Sequence, residues 1–246
     1  MVLATGLAAI EVFALLRGAG YPSIPALGVV IAVGLVLDGA APDVLVGSGV
    51  TLIAVGTILA AVGAFTKADP REGLPTWFAT VFGALYVSLL GFIVRLGAAG
   101  PDLPPSATLA GFGAERGWIL LLVLGVWAYD TGAYLVGKRL GRARFLTHIS
   151  PSKTYAGLVG GLVACTVVVS LVLVGLGQSI ATGLLLGPLL GLAAQAGDLA
   201  ESMLKRAAGA KDSGTLIPGH GGVLDRIDSF LFAAPVVTLY VLAAVH

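Results

Sequence analysis

Long apolar runs recur from one end of the chain to the other, separated by short segments rich in charge, glycine and proline. Runs of this kind are the pattern of membrane helices, in which every backbone N–H and C=O must be satisfied inside the segment. Eight spans are predicted, roughly Met1–Leu16, Ile24–Leu37, Val44–Phe65, Thr76–Leu96, Gly117–Gly137, Tyr155–Leu176, Ile180–Leu204 and Val223–Val245. The first two are short against the ~20 residues that cross a hydrocarbon core, as in tilted helices or a chain that begins partway into a larger bundle. Thr66–Gly73 is expected to be a short, solvated inner turn, and Gly100–Arg116 an outer connecting loop. The expected fold is therefore all-α, a polytopic integral membrane helical bundle with about eight transmembrane helices. Residues 1–116 supply the N-terminal helices and residues 117–246 the chemically rich region, within one structural unit.

Composition removes the soluble alternative that 246 residues would otherwise allow. The chain is 57% hydrophobic and 11% charged, whereas soluble domains carry roughly 25% charged residues. Its mean hydropathy is +1.00. The 36 glycines suit close helix–helix contact in lipid. The single cysteine, Cys165, has no intrachain partner, and no Cys/His spacing fits a structural zinc site. Glu11 interrupts the opening apolar run, so no signal peptide is expected there.

The net charge of +1 is uninformative, but the placement of the cations is not. With the segment around Arg17 inside and spans alternating, one side receives Arg17, Lys67, Arg71, Lys138, Arg139, Arg142, Arg144, Lys153, Lys205, Arg206, Lys211 and Arg226. The other side keeps Arg95 and Arg116. This asymmetry places the richer side in the cytoplasm and both termini outside.

Acidic groups within or beside the spans need a reason, because a bilayer makes them costly. Asp130 lies within the fifth predicted span. Asp198, Glu201, Ser202 and Lys205 follow at i, i+3, i+4 and i+7 and so share one helical face. Asp225 and Asp228 open the last span at i, i+3. Carboxylates converging on one side cannot all stay ionised without a cation between them, and hard oxygen ligands favour Mg²⁺ or a similar ion. For Glu201 an ion pair with Lys205 or Arg206 is the competing expectation. Five cations lie between Lys138 and Lys153, and Lys205, Arg206, Lys211 and Arg226 add four. Gly219, Gly221 and Gly222 would let backbone N–H groups approach an anion closely. Metal-binding carboxylates, phosphate-binding cations and a glycine loop are the parts of a phosphoryl- or nucleotidyl-transfer site. A cation-coupled transporter would instead cluster its ionisable groups at the midplane, around paired broken helices.

The stretch "SMLKRAAGAKDSGTLIPGHGGVLDRID", Ser202–Asp228, resembles the signature of the phosphatidate cytidylyltransferase (CDP-diacylglycerol synthase) family. "DTGAYLVGKRLG" from Asp130, "SPSKTYAGLVGG" from Ser150 and "GDLAES" from Gly197 agree with it. Tyr155–Ala156 depart from the Trp and acidic or amide pair that often follows "SPxKT" in that family. The resemblance implies the reaction of CTP with phosphatidate to give CDP-diacylglycerol and pyrophosphate, with Mg²⁺, a second monovalent cation such as K⁺, and a homodimer. It implies metal ligation by Asp198 and Asp225 with Asp228 beside them, and Lys205 as a further catalytic group. Arg206, Lys211 and Arg226, with Lys205, would hold the phosphates of CTP and lipid; Ser152 and Lys153 would assist from the preceding loop. Ser202, Gly221 and Gly222 belong to the same signature, Asp212 and His220 would shape the loop or bind substrate, and Asp130 joins the substrate-binding set. The expected setting is the inner membrane of a prokaryote, with the site facing the cytoplasm; no nucleic acid is expected as a partner.

Overall fold

The structure is a computed structural model that describes residues 1–40, 47–216, 219 and 221–244. Its described residues form nine α-helices: α1 Val2–Gly18, α2 Pro25–Ala40, α3 Ser48–Ala64, α4 Pro70–Ser88, α5 Gly91–Ala99, α6 Ala114–Leu140, α7 Tyr155–Gly175, α8 Ile180–Ala207 and α9 Leu224–Ala244. A single 3₁₀ turn, Ala110–Phe112, precedes α6. Five helical runs are long and apolar enough to cross a membrane: Pro70–Ala98, Ala114–Leu140, Tyr155–Gly175, Ile180–Ala207 and Leu224–Ala243. The helices Pro25–Ala40 and Ser48–Ala64 are apolar but shorter. The all-helical architecture is thus observed, and five of its runs among the described residues have the length and apolar character of membrane spans. Val44–Val46, the predicted start of the third span, and Val245, the predicted end of the last, lie outside the described residues.

Two predicted boundaries move. Thr66–Gly73 is not all turn, because α4 begins at Pro70. Asp69 caps it by accepting from the Arg71 N–H at 2.8 Å, and proline suits the first helical position, where an N–H would have no partner. The predicted fourth span, Thr76–Leu96, is divided by a turn at Leu89–Leu90 into α4 and α5.

The chain forms two compact units, residues 1–95 with 201–227 and residues 96–200 with 228–246, so the division falls within α5, α8 and α9. In the first unit α1, α2 and α4 pack on one another and α3 packs on α2 and α4. The fully buried Phe13 ring of α1 fills the space that Gly28 of α2 and Gly83 of α4 leave open. Polar groups close the remaining gaps: the Trp77 indole N–H donates to the Thr57 carbonyl at 3.1 Å, and the Ile24 N–H to Thr80 Oγ1 at 2.9 Å.

In the second unit α6 runs along α7. Buried Tyr129 joins three helices: its ring lies against Gly161 of α7 and Gly191 of α8, and its hydroxyl donates to Gln195 Oε1 at 2.8 Å. The segment from Gly141 to Thr154 folds back on itself. The Phe145 N–H donates to the Lys153 carbonyl at 3.2 Å, the Tyr155 N–H to the Ala143 carbonyl at 3.1 Å, and Arg144 pairs antiparallel with Thr154. Thr154 then caps α7, accepting from the Gly157 N–H at 3.1 Å. This pairing holds Ser152 and Lys153 at the C-terminal end of α6.

Candidate active site

In the first unit the chemistry centres on Asp225, in the first turn of α9. Its Oδ2 accepts from the Ser213 N–H at 2.9 Å, the Ser213 hydroxyl at 2.8 Å and the Gly222 N–H at 2.8 Å. Its Oδ1 meets the Lys205 ammonium at 2.7 Å, and the same ammonium lies 2.5 Å from Glu201 Oε2. The three side chains are 7%, 13% and 0% exposed for Asp225, Lys205 and Glu201, so the cation joins two carboxylates largely shielded from water. Glu201 is therefore part of an ion-paired cluster with Lys205. Gly221 has a φ of +81°, which side-chain-bearing residues rarely adopt, and a Cβ on Gly222 would collide with Ser213 Oγ and the Glu11 carboxylate. These two glycines let the loop wrap around Asp225.

Glu11 is the group that sequence reasoning missed. It stands in the middle of α1 and is 8% exposed. Its carboxylate accepts from the Val223 N–H at 3.0 Å, the Leu224 N–H at 2.8 Å and the Ser213 hydroxyl at 3.0 Å. The first two donors are backbone groups at the start of α9, where N–H groups lack partners within the helix. The only sequence signal was an acid in an apolar run, whose partners lie more than 200 residues away.

Other signature residues of this unit sit at the surface. Lys211, Asp212, Arg206 and Arg226 are exposed, and Arg206 reaches the Ala210 carbonyl at 3.2 Å. Ser202 is half-buried on α8. His220 lies outside the described residues.

In the second unit Asp198 forms an ion pair with Lys153, so the "SPSKT" loop and the "GDLAES" turn of α8 meet. Gly197 lies against the backbone of Asp228 and Ser229, which brings Asp198 and Asp228 to one crossing of α8 and α9. A cavity of about 370 Å³ is lined in part by Asp130, Tyr134, Lys138, Ser152, Lys153 and Gln195. Lys138 sits over the Tyr134 ring, 5.5 Å from its centroid. Gln195 is 5% exposed, and its Nε2 has no hydrogen-bond partner among the described residues, which leaves a buried donor on the cavity wall. Asp130, Ser152 and Lys153 thus line one cavity together with Gln195, which sequence reasoning did not single out.

No group of three or more His, Cys, Asp or Glu able to hold a metal ion occurs among the described residues. Asp225 and Asp198 instead each hold a lysine ammonium. Both carboxylates are placed to take positive charge, and a divalent ion would compete with Lys205 and Lys153 for them.

These features define a class: an all-helical protein with runs able to cross a membrane, whose first unit wraps a lysine–carboxylate cluster in a glycine-containing loop and whose second unit pairs Asp198 with Lys153. The particular family follows from comparison. The profile described as "Cytidylyltransferase family" matches residues 1–244, and the chain belongs to that family. A Synechocystis protein named phosphatidate cytidylyltransferase is 53% identical over 119 residues, 47% of this chain and 40% of that protein. Proteins of the same name from Staphylococcus saprophyticus and Staphylococcus aureus are 44% and 45% identical over 124 residues, 50% of this chain and 48% of theirs. The match therefore spans about half the length of these relatives, or less.

Proposed function

We propose that this chain acts as a phosphatidate cytidylyltransferase, converting CTP and phosphatidate to CDP-diacylglycerol and pyrophosphate. One observation carries the reading. In a chain of the Cytidylyltransferase family, the lysine–carboxylate cluster of Lys205, Glu201 and Asp225 is built into a glycine loop beside exposed Lys211, Arg206 and Arg226. Such an arrangement suits the joining of two phosphate-bearing reactants.

In the proposed reaction a phosphatidate oxygen attacks the α-phosphorus of CTP. The bond from that phosphorus to the bridging oxygen breaks, and pyrophosphate leaves with the electron pair. The attacking phosphate is already anionic at neutral pH, so no strong general base is needed. The main barrier is repulsion between two polyanions. Lys205, Arg206, Lys211 and Arg226 lower it by holding phosphate oxygens, and Ser152 and Lys153 serve the same end from their loop. Asp212 and His220 are assigned to loop shape or substrate contact, and Asp130 to substrate contact. Mg²⁺ would screen phosphate charge; its proposed ligands are Asp225, Asp198 and Asp228, with a monovalent ion such as K⁺ as a second cation.

The topology proposed with this activity has eight spans, both termini outside and the basic loops in the cytoplasm of a prokaryote, the protein acting as a homodimer. The apolar character of α2 and α3 supports two of the three additional spans. Purified protein with CTP, phosphatidate and Mg²⁺ should yield a lipid with the mass of CDP-diacylglycerol. CTP labelled at the α-phosphate should leave its label on the lipid. Transfer of the γ-label alone would identify a CTP-dependent lipid kinase and reject the proposal.

A further inference from the structure

We infer that Glu11 is a positioning residue for the signature loop, and that α1 braces this loop from outside the motif. The inference rests on the reading above for its catalytic consequence, though not for its structural part. Glu11 offers both carboxylate oxygens to one target. Oε1 takes the Val223 N–H, while Oε2 takes the Leu224 N–H and the Ser213 hydroxyl. Ser213 in turn places its N–H and its hydroxyl within bonding distance of Asp225 Oδ2. With one hydroxyl hydrogen, Ser213 donates to a single carboxylate at a time, while its N–H stays on Asp225. Glu11 thus grips the loop at both margins, at Ser213 where it begins and at Val223–Leu224 where α9 begins.

Two further contacts make the grip specific to α1. Gly214 and Gly222 both pass so near the Glu11 carboxylate that a Cβ on either would meet it, so the loop backbone is moulded around this side chain. Gly18, two turns along α1, lies against Ala208, just past the end of α8. Glu11 and Gly18 are separated by about 10 Å of helix. One rigid element therefore touches the segment between α8 and α9 at its exit and at its return. A charged group buried in an apolar helix is costly unless its bonds are satisfied. Glu11 meets that requirement with groups that themselves hold Asp225.

The test uses the full chain in lipid nanodiscs and the variants Glu11→Gln, Glu11→Ala, Ser213→Ala and Phe13→Leu. Phe13 packs against Gly28 of α2 and Gly83 of α4, so Phe13→Leu reports what loosening α1 does by itself. Hydrogen exchange is read on peptides covering Val223 and Leu224, and on the later turns of α9 as a reference. In Glu11→Ala these two amides should exchange at least tenfold faster, with the later turns unchanged. In Glu11→Gln kcat should fall at least tenfold with a much smaller change in KM for CTP, whereas Phe13→Leu should lower the melting temperature without this fall. Ser213→Ala should give a smaller loss in the same direction. Unchanged exchange at Val223 and Leu224 would overturn the brace. A kcat for Glu11→Gln that tracks only the folded fraction, as for Phe13→Leu, would overturn the positioning role. Should the wild-type chain form no CDP-diacylglycerol, the proposed activity fails, and the exchange result alone still decides whether Glu11 holds the loop.

Discussion

The two oxygens of Asp225 face different neighbours, and both neighbours are donors. Oδ2 receives Ser213 and Gly222, while Oδ1 receives the Lys205 ammonium. An amide cannot escape this by rotating, because its NH₂ meets a donor in either orientation. Asp225→Asn should therefore reduce CTP-dependent product formation about a hundredfold or more, with membrane insertion retained; full activity would remove Asp225 from the site. Lys205→Met poses the converse problem, leaving Glu201 and Asp225 without the cation that links them. Breaking a shielded ion cluster costs about 3–5 kcal/mol, so the variant should melt well below the parent in detergent. Adding Glu201→Gln should recover part of the loss, since it removes one of the two facing charges. Absence of any recovery would show that Glu201 and Asp225 do not repel one another once Lys205 is gone. Asp225 and Lys205 were legible in the sequence because charge inside or beside an apolar run is conspicuous. Glu11 was equally conspicuous, yet its role was not legible. Its partners are backbone N–H groups more than 200 residues away, and backbone groups carry no signature in a sequence.

At the scale of elements, caps and prolines decide where helices begin, and they explain the boundaries that hydropathy misplaced. Apolar character rises only after the first turn of α4, but Asp69 and Pro70 start the helix within charged sequence. Thr154 has the same function for α7 with a second duty, since its backbone pairs with Arg144 and so fixes the Ser152–Lys153 end of the loop. Thr154→Ala should lower stability by about 1 kcal/mol, while Thr154→Ser should keep most of it. The change should also raise KM for CTP, because the loop that presents Ser152 and Lys153 loses its anchor. Thermal melting and steady-state kinetics of both variants check this. An unchanged KM in Thr154→Ala would separate the cap from substrate binding. Which helices pack together was much less legible. Helices apolar on all sides have no face to read, so the contact of α6 with α7 or of α1 with α4 follows from shape, as at Gly28, Gly83 and Gly161.

For the whole molecule the open question of greatest consequence is which way the helices cross the membrane, and α6 allows a direct answer. Its 27 residues extend about 40 Å, enough to cross a hydrocarbon core of about 30 Å. Glu115 and Arg116 flank one end, while Lys138, Arg139, Arg142 and Arg144 crowd the other. Cations resist translocation, so the crowded end is proposed to stay in the cytoplasm. Cys165 is fully buried, which keeps the native thiol out of reach of a bulky charged maleimide. Single cysteines at the exposed positions Glu115 and Arg142 therefore report separately on the two ends. In spheroplasts the Glu115→Cys protein should react with the impermeant reagent at once, and Arg142→Cys only after the membrane is opened. The reverse pattern would invert the orientation and move the proposed CTP site to the wrong compartment. Labelling of both from outside would show that α6 does not cross the membrane.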